Sequence, residues 1–144
     1  MKVVAISSEK ETESLAQRLA PALCGGMTVG LEGDLGAGKT TFVRYLVAAL
    51  GGAAQDVASP TFTLQYDYSV AAGLTVEHWD LYRLRTAPQE LCEPPGAKVL
   101  RIIEWPDKCP ELLPDIDLGI RIGLLEGDAR QVELKGKLSA SLVL

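Results

Sequence analysis

Residues Gly33 to Thr40 read G-D-L-G-A-G-K-T, which meets every fixed position of the phosphate-binding loop pattern G-x-x-x-x-G-K-[ST]. Each fixed residue has a physical task. The glycines let the backbone turn tightly and aim several N–H groups at one phosphate chain. Lys39 brings a compact positive charge to the outer phosphates, and the Thr40 hydroxyl is a hard oxygen ligand suited to Mg²⁺. The flanks supply the setting that such a loop needs. Met27 to Glu32 alternates like a strand, through Val29 and Leu31. Thr40 to Leu50 carries Phe42, Val43, Leu46, Val47 and Leu50 at helical spacing, and Gly51-Gly52 stops it. Strand, loop and helix in that order bring a helix N-terminus, with its partial positive charge, to the phosphates.

Working outward, Lys2 to Ile6 reads as a strand. Ser8 and Glu11 have capping-box spacing, and a helix is expected from there to about Leu23 with Leu15, Ala16, Leu19 and Ala20 buried. Downstream, Gly51 to Pro60 reads as a loop. Leu64 to Val70 and Leu74 to Trp79 flank Ala71-Ala72-Gly73 as an antiparallel hairpin. Thr86 to Cys92 suits one or two helical turns, which Glu93-Pro94-Pro95-Gly96 must break. Lys98 to Ile103 is an apolar strand interrupted by Arg101, and Pro106 to Leu113 suits a short helix. Ile116 to Leu125 and Ala129 to Leu134 form a second hairpin candidate around Glu126-Gly127-Asp128. The expected fold is α/β of the P-loop NTPase type, three-layered, with a mixed parallel and antiparallel central sheet. One domain is expected over residues 1–144, with 135–144 as a loosely packed tail.

Composition narrows the function classes. Hydrophobic residues make up 47% and charged residues 23%, as in an ordinary soluble domain. No stretch approaches a membrane span, and Lys2 to Ile6 is too short for a signal-peptide core, so a cytoplasmic protein is expected. Cys24, Cys92 and Cys109 lack metal-site spacing and read as reduced thiols. The net charge of −5 argues against a chain that grips nucleic acid alone.

A nucleotide site also needs a second metal anchor, a sensor of the terminal phosphate and something to place the attacking water. Three segments offer these. In H-W-D-L-Y-R-L (His78 to Leu84), Asp80 follows a strand-like run, where a carboxylate can hold Mg²⁺ directly or through water, or cap a turn. In R-I-I-E-W-P (Arg101 to Pro106), Glu104 ends a strand and suits either a water-mediated metal anchor or the placing of water. Trp105 then serves as a lid, a partner contact or a core cover. In S-P-T-F-T (Ser59 to Thr63), Pro60 holds Ser59 extended, and Thr61 projects toward metal or phosphate, or marks a plain turn. Arg83 suits a phosphate, Glu104 or a surface salt bridge. His78 has no histidine or cysteine companion, which favours a packed or hydrogen-bonded role over metal ligation.

On these residues the chain resembles TsaE, the bacterial P-loop ATPase family required for threonylcarbamoyladenosine synthesis on tRNA. The pieces are L-E-G-D-L-G-A-G-K-T-T, S-P-T-F-T-L, H-W-D-L-Y-R-L and I-E-W-P, in that order and over nearly the whole chain. The resemblance implies that Gly33 and Leu35, Gly36, Ala37, Gly38, Lys39, Thr40 and Thr41 hold the phosphates of ATP. It implies that Thr40 ligates Mg²⁺, that Glu104 lies at the metal, and that Asp80 lies in or beside its shell. It makes Ser59-Pro60-Thr61 a nucleotide-sensing loop, and Thr12 matches a threonine the family uses near the nucleotide. Lys39, Asp80, Glu104 and Thr61 are thereby the expected catalytic set. The implied partners are TsaD, which transfers threonylcarbamoyl to the adenosine beside the anticodon, and TsaB. Transfer RNA is reached only through that complex. The segment from Arg85 to Arg101 departs from the family by being shorter and proline-broken.

The resulting expectation is an accessory ATPase that supports TsaD turnover. It should be slow alone, since the sequence places no arginine clearly at the transferring phosphate. The alternatives are a small-molecule P-loop kinase, for which the chain lacks room for an arginine-rich lid, and a nucleotide-gated scaffold with negligible hydrolysis. No N-K-x-D guanine signature is present, which leans toward adenine.

Overall fold

In the computed structural model, residues 1–58 and 64–142 are described. Strand β1 (Lys2–Ile6) leads to helix α1 (Glu9–Leu19). Ser8 caps this helix by accepting the Glu11 N–H at 3.2 Å. The return bonds of Glu11 go to Ser7, from N–H at 2.8 Å and Oγ at 3.0 Å, one residue ahead of the expected capping box. The α-helical form ends at Leu19, earlier than expected. Pro21 cannot donate a backbone hydrogen bond, and Ala20–Ala22 tightens to a 3-10 turn. Leu15, Ala16, Leu19 and Ala20 are buried as expected.

Strand β2 (Thr28–Glu32) feeds the phosphate loop and helix α2 (Lys39–Ala49). That helix stops as its glycine pair requires, with Gly51 N–H donating to Ala48 O at 3.0 Å and Gly52 N–H to Val47 O at 2.9 Å. The hairpin β3 (Gln65–Ser69) and β4 (Thr75–Asp80), then β5 (Val99–Glu104), follow. The hairpin β6 (Leu118–Leu124) and β7 (Arg130–Lys135) completes a seven-stranded sheet of order β1-β7-β6-β2-β5-β4-β3. Strands β6, β2, β5 and β4 are parallel neighbours, and antiparallel pairs close both edges. The mixed sheet is therefore a parallel centre with hairpin edges.

Alternation along the strands divides the core between the two faces. Val29, Leu31, Leu100, Ile102 and Ile120 pack with Leu15, Leu19, Phe42 and Leu46 of the two helices. Ile103 and Trp79 pack on the other face with Leu81, Leu91, Cys109 and Leu112. Short 3-10 turns at Gln89–Cys92, Pro106–Lys108 and Pro110–Asp115 cover that second face, where sequence spacing suggested helical turns. Prolines at 106, 110 and 114 keep these turns short. Within the expected loose tail, described as far as residue 142, Leu142 is buried in the main core, and Lys2 Nζ donates to its carbonyl. Among the described residues no helix is long and apolar enough to cross a membrane.

Candidate functional site

The phosphate loop joins β2 to α2 in a conformation that glycine permits. Gly38 caps α2 at φ +102°, a left-handed geometry strained for any L side chain. A Cβ on Gly38 would meet nothing within 4 Å, so its requirement is conformational. Gly33 is different, because a Cβ there would lie 2.6 Å from the Ile122 carbonyl of β6. Within the loop, Ala37 N–H donates to Asp34 O at 3.0 Å, and Ala37 is buried.

Lys39 is only 6% exposed. Its ammonium donates to Gly33 O and to Asp34 O, the latter at 3.1 Å, and lies 4.2 Å from the centre of the Trp105 ring. Burial pulls its pKa below the ordinary lysine value; Glu104, Asp80, Asp34 and Asp107 oppose that shift. Trp105 takes φ +60°, unusual for so large a side chain, and its ring centre is 4.8 Å from that of Tyr82. Trp105 packs against the second core cluster, as the core-cover reading expects, and its ring also faces Lys39.

Strand register assembles the carboxylates. Asp80 and Glu104 are direct partners at the carboxyl ends of β4 and β5, and Glu104 also pairs with Leu31 of β2, just before the loop. Ligands of open α/β sheets gather beyond those strand ends. Glu104 is buried, and its Oε2 accepts from the Thr40 hydroxyl at 3.3 Å and lies 2.6 Å from His78 Nε2. Asp80 is also buried and accepts the Tyr82 N–H at 2.9 Å. Lys39, Thr40, Asp80, Glu104, Trp105 and the exposed Leu35 line a cleft of about 330 Å³.

A second cleft, of about 450 Å³, lies on the other side of the loop. Thr12, Ser7, Ser8, Asp128 and Arg130 line it across from Ala37. Gly36, Gly38 and Thr41 line both clefts and so join them. Arg130 Nε donates to Ala37 O at 3.3 Å, tying β7 to the loop. Sequence reasoning missed Arg130; its only signal is its place just after a hairpin turn. Arg83, by contrast, lies exposed beyond β4.

The sequence profile described as Threonylcarbamoyl adenosine biosynthesis protein TsaE matches residues 6–132. The chain belongs to the TsaE family. Proteins carrying the name tRNA threonylcarbamoyladenosine biosynthesis protein TsaE are similar to it over most of its length. That of Aquifex aeolicus is 36% identical over 95% of this chain and 98% of its own. That of Haemophilus influenzae is 41% identical over 74% of this chain and 68% of its own. That of Rickettsia conorii is 36% identical over 87% and 73%. The crystal structure of Bacillus subtilis YdiB superposes with a TM-score of 0.72 at 26% identity, covering 98% of this chain and 88% of that one. The fold is thus a P-loop NTPase-like α/β fold, and the family is one of tRNA threonylcarbamoyladenosine biosynthesis.

Within this TsaE-family chain, Leu35 to Thr41, Asp80 and Glu104 converge on the two clefts, and Thr12 joins them from α1. Gly33 lies beneath the loop against β6 instead of lining a cleft. Ser59, Pro60 and Thr61 lie outside the described residues.

Proposed function

We propose that this TsaE-family chain is a Mg²⁺-dependent ATPase, an accessory subunit that supports turnover of TsaD in a cytoplasmic complex with TsaB. In this reading tRNA is met only through that complex. One observation carries it: Lys39, Thr40, Asp80 and Glu104, from three separate segments, line one cleft beside a phosphate loop.

The residues fit the nucleotide and the ion. Thr40, Asp80 and Glu104 offer oxygen ligands, which suit a hard divalent cation. When bound, Mg²⁺ neutralises charge on the outer phosphates. Lys39 adds an ammonium whose present partners are two neutral carbonyls, so phosphate oxygens are stronger acceptors for it. Glu104, held by Thr40 and His78, is positioned to anchor the ion or to orient the attacking water. The second cleft has the volume of a small-ligand site and suits the nucleoside, with Thr12 and Arg130 in its wall. A triphosphate draped over Gly36, Gly38 and Thr41 would pass from one cleft to the other.

Arg130 is engaged with the loop carbonyl on the nucleoside side. That supports slow intrinsic hydrolysis, raised when partners complete the site. The test is ATP turnover of the purified chain with and without TsaD and TsaB, together with co-purification of the three proteins with and without ATP. Stimulated turnover and co-purification are expected. Equal steady-state rates would overturn the accessory-ATPase reading, and single-turnover hydrolysis unaffected by Glu104→Ala would remove Glu104 from catalysis. Nucleotide bound but not cleaved in the assembled complex would mark a nucleotide-gated scaffold.

A further inference from the structure

His78 is the chain's single histidine, and none of its surface is exposed (0%). Both of its ring nitrogens are engaged. Nε2 lies 2.6 Å from Glu104 Oε2, and Nδ1 lies 3.1 Å from the Tyr68 hydroxyl. Beyond Tyr68, the Ala58 N–H donates to the hydroxyl oxygen at 3.4 Å, and the Ala58 carbonyl lies 3.2 Å away. At the other end, Thr40 donates to the same Glu104 oxygen at 3.3 Å.

A carboxylate oxygen accepts, so the contact runs from His78 Nε2–H to Glu104 Oε2. Nδ1 is held on its far side by the Tyr68 hydroxyl, which also meets the Ala58 N–H and carbonyl. The series runs from Ala58 through Tyr68 and His78 to Glu104. The arrangement matters because the terminal torsion of a glutamate is broad and the carboxylate otherwise turns freely. Thr40 supplies the longer of its two contacts and His78 the shorter.

We propose that His78 is a positioning residue for Glu104, held by the Tyr68 hydroxyl and thereby fixing one carboxylate oxygen beside Thr40. Its kinetic consequence rests on the ATPase reading above; the contact itself does not. With one histidine in the chain, ¹⁵N-histidine NMR of the full protein reports this ring alone. The expected spectrum has an Nε2 resonance that moves in Glu104→Gln and an Nδ1 resonance that moves in Tyr68→Phe. An Nε2 resonance that does not respond to Glu104→Gln overturns the proposal.

Kinetics separate positioning from a merely structural role. Removing the donor in His78→Leu should lower kcat about 10- to 100-fold, with the KM for MgATP nearly unchanged. His78→Gln, whose amide offers an N–H near the Nε2 position, should restore most of that loss. An unchanged kcat in His78→Leu, or an equal loss in the Gln variant, refutes the positioning role. Should His78→Leu fail to fold, Tyr68→Phe retains the ring and should still lower kcat; an unchanged kcat in that variant refutes it equally. If the wild-type protein cleaves no ATP even with its partners, the ATPase reading fails alone, and the NMR result still decides the His78–Glu104 contact.

Discussion

Replacing Lys39 with methionine should weaken nucleotide binding while relieving a cost of folding, and the two effects have separate readouts. The ammonium now donates to Gly33 O and Asp34 O. Binding a triphosphate exchanges those neutral acceptors for charged ones. Methionine removes the charge-assisted contact with the phosphate, and a hydrogen bond to a charged group is worth about 1.5–3 kcal/mol. The middle of that range, about 2.2 kcal/mol, corresponds to about a 40-fold loss of MgATP affinity in the variant. Methionine keeps an unbranched stem in the same space, so the comparison isolates the charge. On the folding side, burial holds the Lys39 pKa below 10.5. Between its folded value and 10.5 the unfolded chain binds more protons, so this group's contribution to stability rises with pH across that window. The cost is fully present below the folded value. Lys39→Met should therefore gain stability from this effect at neutral pH, and its advantage over wild type should shrink as pH climbs toward 10.5. Isothermal calorimetry with MgATP and denaturant melts across pH measure the two arms. A Kd within about threefold of wild type, under 1 kcal/mol, would refute the phosphate role of Lys39. An advantage that grows with pH would refute the linkage argument.

Gly38→Ala should cost about 1–2 kcal/mol of stability from left-handed backbone strain alone, because no atom stands where the new methyl would go. A melt indistinguishable from wild type would contradict it. Arg101 is a buried cation on β5 bonded to Glu77 at 2.8 Å, Glu93 O at 2.6 Å and Glu90 O at 3.3 Å. Arg101→Ala should cost about 3–5 kcal/mol by stranding those partners, with MgATP affinity preserved; chemical denaturation showing under about 1 kcal/mol would sink this account. Tyr45 donates to Glu9 Oε1 at 2.6 Å, and this bond is the main reason its pKa is pushed up to about 12. The folded state thus holds a proton that the unfolded chain releases, so stability should fall as pH rises from about 10 to 12, and Tyr45→Phe should lose that part of the decline in alkaline melts.

The phosphate loop, its strand and its helix were legible because each is a local pattern: glycines at fixed offsets, alternation before them, helical spacing after. Both hairpins and the glycine stop after α2 were legible for the same reason. Errors fell where local signals compete. Pro21 shortened α1, and the proline-spaced stretch from 106 to 115 folded into 3-10 turns, since periodicity does not register a missing N–H donor. Arg101 looked out of place in an apolar strand. Its fitness depends on carbonyls from the proline-broken segment, which no strand pattern contains.

Residue types and spacing by themselves determined that a glycine-rich phosphate-loop pattern stands here between a strand and a helix, and that carboxylates end two later strands. Only the tertiary structure decided that Asp80 and Glu104 are neighbours, that His78 and Tyr68 stand behind Glu104, and that Arg130 braces the loop at Ala37. Those contacts follow from strand order and register. Register is set by how the whole sheet buries its two faces, so the pairing partner of a distant residue is absent from any short window of sequence.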